Sequence, residues 1–259
     1  MSSEVIARVY ALSQKADELD QKGHLLCAAE YYARAAEAAR TLDPGADNLV
    51  TLDMLRQQAD AVLTFTFFMS RTAVTANSGT LAAHRSEAIA LLSAITDGLQ
   101  RRRVAGTLLM GSAAEEACAA EHLRNSGSSP AEVGCLKKCR GYTAYIWTAR
   151  AVLVVLIAQS LFVRECSASQ FESFAQFVVH AMEMLELPRS HSSAAFTYFQ
   201  SDLRFAEKLA KSMPLLETSG SEPRLVRLVT DAWQHLQHNG VPAYLARLEA
   251  PKTQKTESG

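Results

Sequence analysis

Helical periodicity runs through almost the whole chain, and it constrains the fold more than any other feature of the sequence. Apolar residues recur at intervals of three and four positions, whereas no segment sustains the alternation of apolar and polar residues that is typical of a strand. The breaks between periodic segments are rich in Gly, Pro, Asn and Ser and are mostly short, which favours antiparallel packing of successive helices. We therefore predict an all-α protein built from antiparallel helical hairpins.

Two helix starts carry clear capping signals. Ser129 precedes Pro130 and Glu132, and Ser167 precedes Gln170, so both sites have the pattern of a capping box. The dipeptide Asp97-Gly98 interrupts a helical pattern, and we expect a kink or an early end there. The predicted helices span about 3–21, 24–42, 47–75, 81–104, 108–124, 130–165, 168–186, 191–213, 223–238 and 242–249.

Composition narrows the class of protein. The 26 basic and 27 acidic residues nearly cancel, which argues against the net basic surface of a generic nucleic-acid binder. The five cysteines are an odd number in a chain long enough to fold without disulfides, so we expect reduced thiols and a cytoplasmic setting.

We predict one α-helical domain over residues 1–249. Residues 250–259 lack large apolar side chains and are predicted to be a disordered tail.

The segment 142–163 is apolar and has about the length of a membrane span. Arg150 lies inside it, and a charged side chain at the bilayer centre costs about 3 kcal/mol. The uninterrupted apolar run, residues 151–158, is short. The two interpretations are a membrane span and the central helix of a helical bundle, and the position of Arg150 favours the central helix.

Residues 12–35 have the pattern of two helices joined by a turn at Gly23, and the pattern is carried by Leu12, Ala16, Leu19, Gly23, Ala28, Tyr32 and Ala35. This segment resembles a tetratricopeptide-repeat (TPR) hairpin. In that family two helices joined by a short turn carry small residues where they approach and an aromatic residue late in the second helix. The hairpin over residues 3–42 is also similar to the start of a microtubule-interacting-and-trafficking domain. Lys15 departs from the TPR pattern, which usually has Leu there, and Pro44 comes one helical turn late.

The resemblance implies a function as well as a fold. TPR proteins bind extended peptides on the inner helix of each hairpin, and the matching positions here are Tyr10, Ser13, Gln14, Asp17 and Asp20. The basic and Asn side chains with which some members hold a carboxylate are absent from these positions. The two aspartates, one helical turn apart, favour a basic or neutral ligand. The alternative interpretation is an ordinary solvated helix face.

Motifs that carry catalysis are absent from the sequence. It contains no nucleophile elbow, no glycine-rich phosphate loop and no HExxH zinc motif, and it indicates no metal or other cofactor. The pairs Cys135 with Cys139 and His235 with His238 each supply only half of a metal site. Two groups of basic residues could form an anion-binding patch, or they could instead stabilise helix ends. They are Arg101, Arg102 and Arg103, and Lys137, Lys138 and Arg140.

We therefore predict a non-catalytic adaptor or assembly subunit that presents a helical groove to another protein. Within the all-α class, the later helices form either a TPR-like solenoid or an irregular bundle. One alternative function is a small-ligand binder or enzyme with a cavity beside Trp147 and the aromatic stripe from Phe171 to Phe177. Another is membrane association through residues 142–163. We predict no specific nucleic-acid partner.

Overall fold

The computed structural model describes residues 2–42, 47–69, 78–108, 130–185 and 203–239, and no strand occurs among them. The predicted all-α fold is confirmed. The predicted helices 108–124 and 242–249, and the tail 250–259, lie outside the described residues. The elements are α1 (Ser2–Gln21), α2 (Leu25–Arg40), α3 (Leu49–Leu63), a π-helical turn (Thr64–Met69), α4 (Ser78–Val104), α5 (Pro130–Leu161), α6 (Ala168–Leu185), α7 (Leu203–Thr218) and α8 (Pro223–Asn239).

The first four helices pack in chain order. The α2 helix lies between α1 and α3, and α3 in turn packs against α4. Alanines allow α2 to contact both neighbours closely, because the distance between two helix axes depends on the side chains at the contact. Ala28, Ala35 and Ala39 are fully buried. The α2 helix is therefore covered on two sides by its neighbours in sequence.

The α5 helix supplies the centre of the main hydrophobic core. It packs against α3, α4, α6 and α7, and Val152, Val155 and Leu156 on it have no exposed surface. By length and composition Ala144–Leu161 could cross a membrane, but 72% of this stretch is buried inside the protein. In this structure the apolar segment is the core helix that the sequence favoured over a membrane span.

Aromatic residues join α5 to α6. The rings of Tyr145 and Phe177 stack at a centroid distance of 4.1 Å, and the Tyr145 hydroxyl donates a hydrogen bond of 2.7 Å to Gln100 Oε1 on α4. Phe174 and Phe177 are both buried in the main core, and Phe171 packs against it. The aromatic stripe of α6 therefore fills the core.

A largely buried ion pair connects α4 to the link between α5 and α6. Arg85 Nη2 lies 2.7 Å from Glu165 Oε1, and the two side chains are only 12% and 14% exposed. The same link bonds to α5, because Gln159 Oε1 accepts the backbone N–H of Cys166 at 2.9 Å. The backbone leaves the helical pattern before this bond, because Val163 N donates to the Ala158 carbonyl five residues earlier, and α5 ends at Leu161 although the sequence predicted helix to 165.

The capping box at the start of α6 is confirmed. Gln170 N donates to Ser167 Oγ at 3.2 Å, and Ser167 N donates to Gln170 Oε1 at 3.0 Å. Each side chain therefore satisfies a backbone N–H that the first helical turn leaves without a partner. The capping role of Ser129 lies outside the described residues, although α5 does begin at Pro130.

Two further predicted helix ends differ from the structure, whereas α4 continues through Asp97-Gly98 and ends at Val104, as the predicted helix 81–104 does. A Cβ at Gly98 would lie 2.9 Å from Asp47 Oδ1 and 3.2 Å from Leu52 Cδ2. The glycine thus permits a close approach to α3. The α7 helix continues past Pro214 to Thr218, whose hydroxyl donates to the Pro214 carbonyl at 2.9 Å. Within the predicted helix 47–75, α3 gives way to the π-helical turn after Leu63.

Gly141 on α5 provides a direct test of the core. A Cβ at this position would collide with the backbone carbonyl of Leu108, which neither a rotamer change nor a side-chain movement can relieve. We expect Gly141→Ala to lower the free energy of unfolding by about 2 kcal/mol, a typical cost of overpacking. Urea denaturation followed by circular dichroism measures this change. Gly23→Ala is unsuitable as a control because its φ of 80° adds backbone strain.

A matched control for Gly141→Ala is Ser86→Ala, at an exposed position inside α4. It also creates an alanine within a helix, but it inserts no side chain between two backbones. We expect a change in the free energy of unfolding within about 0.5 kcal/mol. Equal stabilities of wild type and Gly141→Ala would show that Leu108 does not lie against α5.

Candidate functional site

The α1–α2 hairpin has the packing that its sequence pattern predicted. Gly23 adopts a φ of 80° in the turn, and His24 N donates to the Leu19 carbonyl at 2.9 Å. Ala16 on α1 and Ala28 on α2 are both fully buried and belong to one hydrophobic cluster. The small residues therefore lie in the hydrophobic interior of the hairpin, as expected.

The five candidate peptide-binding residues lie on α1. Tyr10 and Ser13 are half-buried, whereas Gln14, Asp17 and Asp20 are exposed. Ser13 Oγ donates to the Tyr10 carbonyl at 2.9 Å, so its hydroxyl bonds within the helix. The spacing of three and four residues places the five along one side of α1. We call these five residues the α1 face.

Tyr32 on α2 contacts this face, which sequence reasoning missed. Its side chain is buried, yet its hydroxyl donates a hydrogen bond of 2.6 Å to Asp17 Oδ1. Burial raises the pKa of Tyr32 most strongly, and the bond to Asp17 and the negative charges of Asp17 and Asp20 raise it further, while Arg56 opposes them. The phenol therefore remains a protonated donor at neutral pH.

The α3 helix carries an ion pair close to this hairpin. Arg56 Nη2 lies 3.0 Å from Asp53 Oδ1, and Gln57 donates to the same carboxylate at 3.3 Å. The guanidinium carbons of Arg56 and Arg150 lie 5.6 and 4.7 Å from the centroid of the Trp147 ring. These distances are typical of cation–π contacts, so Trp147 packs against two arginines.

An open depression lies at the end of α4. Its volume is about 430 Å³, and it is lined by Asp97, Gln100, Arg101, Val104 and Ala105. Its lining does not include Trp147 or the aromatic stripe of α6, where the alternative prediction placed a cavity. The proposed ligand cavity beside Trp147 therefore gains no support from this depression.

The arginines at the end of α4 bond to the segment that precedes α3. Arg101 Nη2 and Nε donate to the Asp47 carboxylate at 2.7 and 3.0 Å, and this bond raises the pKa of Arg101. Arg102 donates to the backbone carbonyls of Asp47 and Thr107, both at 3.0 Å. These bonds connect the end of α4 to the segment that precedes α3. The side chains of Lys137, Lys138 and Arg140, the other half of the basic cluster, lie outside the described residues.

Among the described residues, a thiol and the metal-ligating side chains bear on the question of catalysis. Burial, together with the charge of Glu165, raises the pKa of the half-buried Cys166 to about 11, so this thiol is protonated at neutral pH. Within the described ranges, no three metal-ligating side chains lie together. The side chains of Cys135, Cys139, His235 and His238 fall outside what the structure describes.

Comparisons with known proteins give no family or relative for this chain. No protein-family model matches it, and neither does any curated protein or solved structure.

Proposed function

We propose that the protein is a non-catalytic adaptor or assembly subunit that binds a segment of another protein on the α1 face. The observation that carries the proposal is the exposed carboxylate of Asp17 on α1, which accepts a hydrogen bond from the buried phenol of Tyr32 on α2. The resemblance of residues 12–35 to a TPR hairpin also supports binding on the inner helix. We propose a ligand that is basic or neutral.

Local charge supports this choice of ligand. Asp17 and Asp20 contribute two negative charges to the α1 face, and the bond from Tyr32 leaves the charge of Asp17 in place because the phenol is neutral. Lys15 and Glu18, which lie on the same helix, pair with each other at 3.2 Å and contribute no net charge. A Lys or Arg side chain on the partner would therefore be attracted to the face, and an acidic segment would be repelled.

Removing both carboxylates tests the proposal. We expect the pair of substitutions Asp17→Asn and Asp20→Asn to reduce partner recovery about fivefold, because two exposed ionic contacts together contribute about 1 kcal/mol. The measurement is quantitative mass spectrometry of protein captured gently from the native lysate. The captured partner should carry a Lys- or Arg-containing segment, which is then synthesised and titrated directly.

The matched control is Glu4→Gln on α1 with Glu37→Gln on α2, which removes the same charge from exposed positions of the hairpin outside the face. Recovery should remain at the wild-type value. Equal losses in the two double variants would show that only the net charge of the hairpin matters and would contradict a specific face. Recovery that survives the loss of Asp17 and Asp20 would place the interaction elsewhere.

A further inference from the structure

Resting on the function proposed above, we infer that Tyr32 is a positioning residue of the α1 face, which fixes the Asp17 carboxylate in the orientation that meets the partner. Tyr32 is buried and does not belong to the exposed face itself. It acts on Asp17 through its hydroxyl, which donates a hydrogen bond of 2.6 Å to Asp17 Oδ1. The sequence distance between the two residues is fifteen positions, across the turn at Gly23.

The surroundings of Tyr32 hold its ring in place. Ala16 of α1, Ala28 and Ala35 of α2, and Met54 of α3 share one buried cluster with it. A ring packed in this way has few alternative rotamers, so its hydroxyl is a stationary donor. An exposed aspartate without such a donor samples several rotamers, and binding must then restrict them at a cost in entropy.

The charges around the phenol indicate where it lies relative to the face. The negative charges of Asp17 and Asp20 on α1 raise the pKa of the Tyr32 phenol, and the positive charge of Arg56 on α3 lowers it. The hydroxyl is thus close to the carboxylates of the α1 face and within the electrostatic reach of α3. This position allows Tyr32 to orient Asp17 without itself contacting the ligand.

The simpler role for the same bond is to hold α1 against α2. A double-mutant cycle distinguishes the two roles, because a residue that acts through Asp17 has no effect on binding once Asp17 is removed. The variants are Tyr32→Phe, Asp17→Asn and the two together. The probe is a fluorescein-labelled twelve-residue alanine-based peptide that carries lysines at positions 4 and 7, and the matched probe carries glutamates there.

We expect Asp17→Asn to weaken binding of the lysine peptide about threefold, because one of the two exposed ionic contacts is lost. We expect Tyr32→Phe to weaken it about twofold, because binding must then restrict the rotamers of Asp17. The double variant should bind as Asp17→Asn does. Tyr31→Phe is the matched control, since it removes a hydroxyl from the neighbouring, half-buried tyrosine of α2. It should bind the lysine peptide as the wild type does.

Fluorescence anisotropy at low salt gives the affinities, and thermal unfolding of each variant gives the stability. If Tyr32→Phe and Asp17→Asn weaken binding independently, or if Tyr32→Phe lowers stability alone, the positioning role is wrong while the proposed function stands. If the wild type prefers the glutamate peptide or binds neither peptide, the charge preference of the proposed function fails and the inference fails with it.

Discussion

Replacing Ala28 with phenylalanine is expected to unfold the α1–α2 hairpin. Ala28 has no exposed surface and lies in the cluster that contains Ala16 and Tyr32. A large ring cannot be accommodated there unless α1 and α2 separate, and such overpacking costs about 3 kcal/mol. The free energy of unfolding from urea denaturation, followed by circular dichroism, should fall by this amount.

Cys27→Phe is the control for this prediction. Cys27 directly precedes Ala28 on α2 but is exposed, so the same ring can extend into solvent. We expect its stability to stay within about 0.5 kcal/mol of the wild type. A wild-type melting temperature for Ala28→Phe would contradict the register of the hairpin and, with it, the position of the α1 face.

Truncating Tyr145 to alanine is expected to have the largest effect on the main core. The side chain is fully buried, stacks on Phe177 and bonds to Gln100, so its removal leaves a cavity and deprives the Gln100 carbonyl of a donor. The corresponding cost for large aromatic residues is about 4 kcal/mol, which lowers the melting temperature of a domain of this size by about 10 °C. Differential scanning calorimetry measures the melting temperature and the enthalpy from which the free energy of unfolding is obtained.

Tyr145→Phe separates the two contributions. It keeps the ring and its stacking on Phe177 and removes only the hydroxyl, so we expect a loss of about 1 kcal/mol. A loss in Tyr145→Phe as large as that in Tyr145→Ala would show that the bond to Gln100, and not the packing of the ring, holds α4, α5 and α6 together at this point.

Local signals allowed most helices to be predicted from the sequence. The capping box at Ser167 and the turn at Gly23 are properties of a few adjacent residues, and both were predicted correctly. The early end suggested at Gly98 and the end of the predicted helix 191–213 before Pro214 were wrong, because the effect of both residues depends on context. Gly98 is accommodated inside α4 because α3 packs closely against it. Neither this contact nor the continuation of α7 beyond Pro214 is encoded in the apolar pattern of one helix.

The candidate site was predictable only in part. The spacing of Asp17 and Asp20 along α1 could be derived from the helical period alone. The bond from Tyr32 could not, because it depends on the rotation of α2 relative to α1, which the packing of the alanines determines. From the sequence, Tyr32 was only the aromatic residue of the hairpin pattern, and its hydroxyl gave no local signal of a partner fifteen residues away.

The serial packing of α1 to α4 also has a consequence for hydrogen exchange. The α1 helix packs principally against α2, whereas α2 and α3 each have neighbours on two sides. Local opening should therefore begin at α1, and its amides should exchange with solvent deuterium faster than those of α3. A ligand on the α1 face would slow exchange in the very helix that opens most readily, so binding should be visible as protection even where it changes no atomic position.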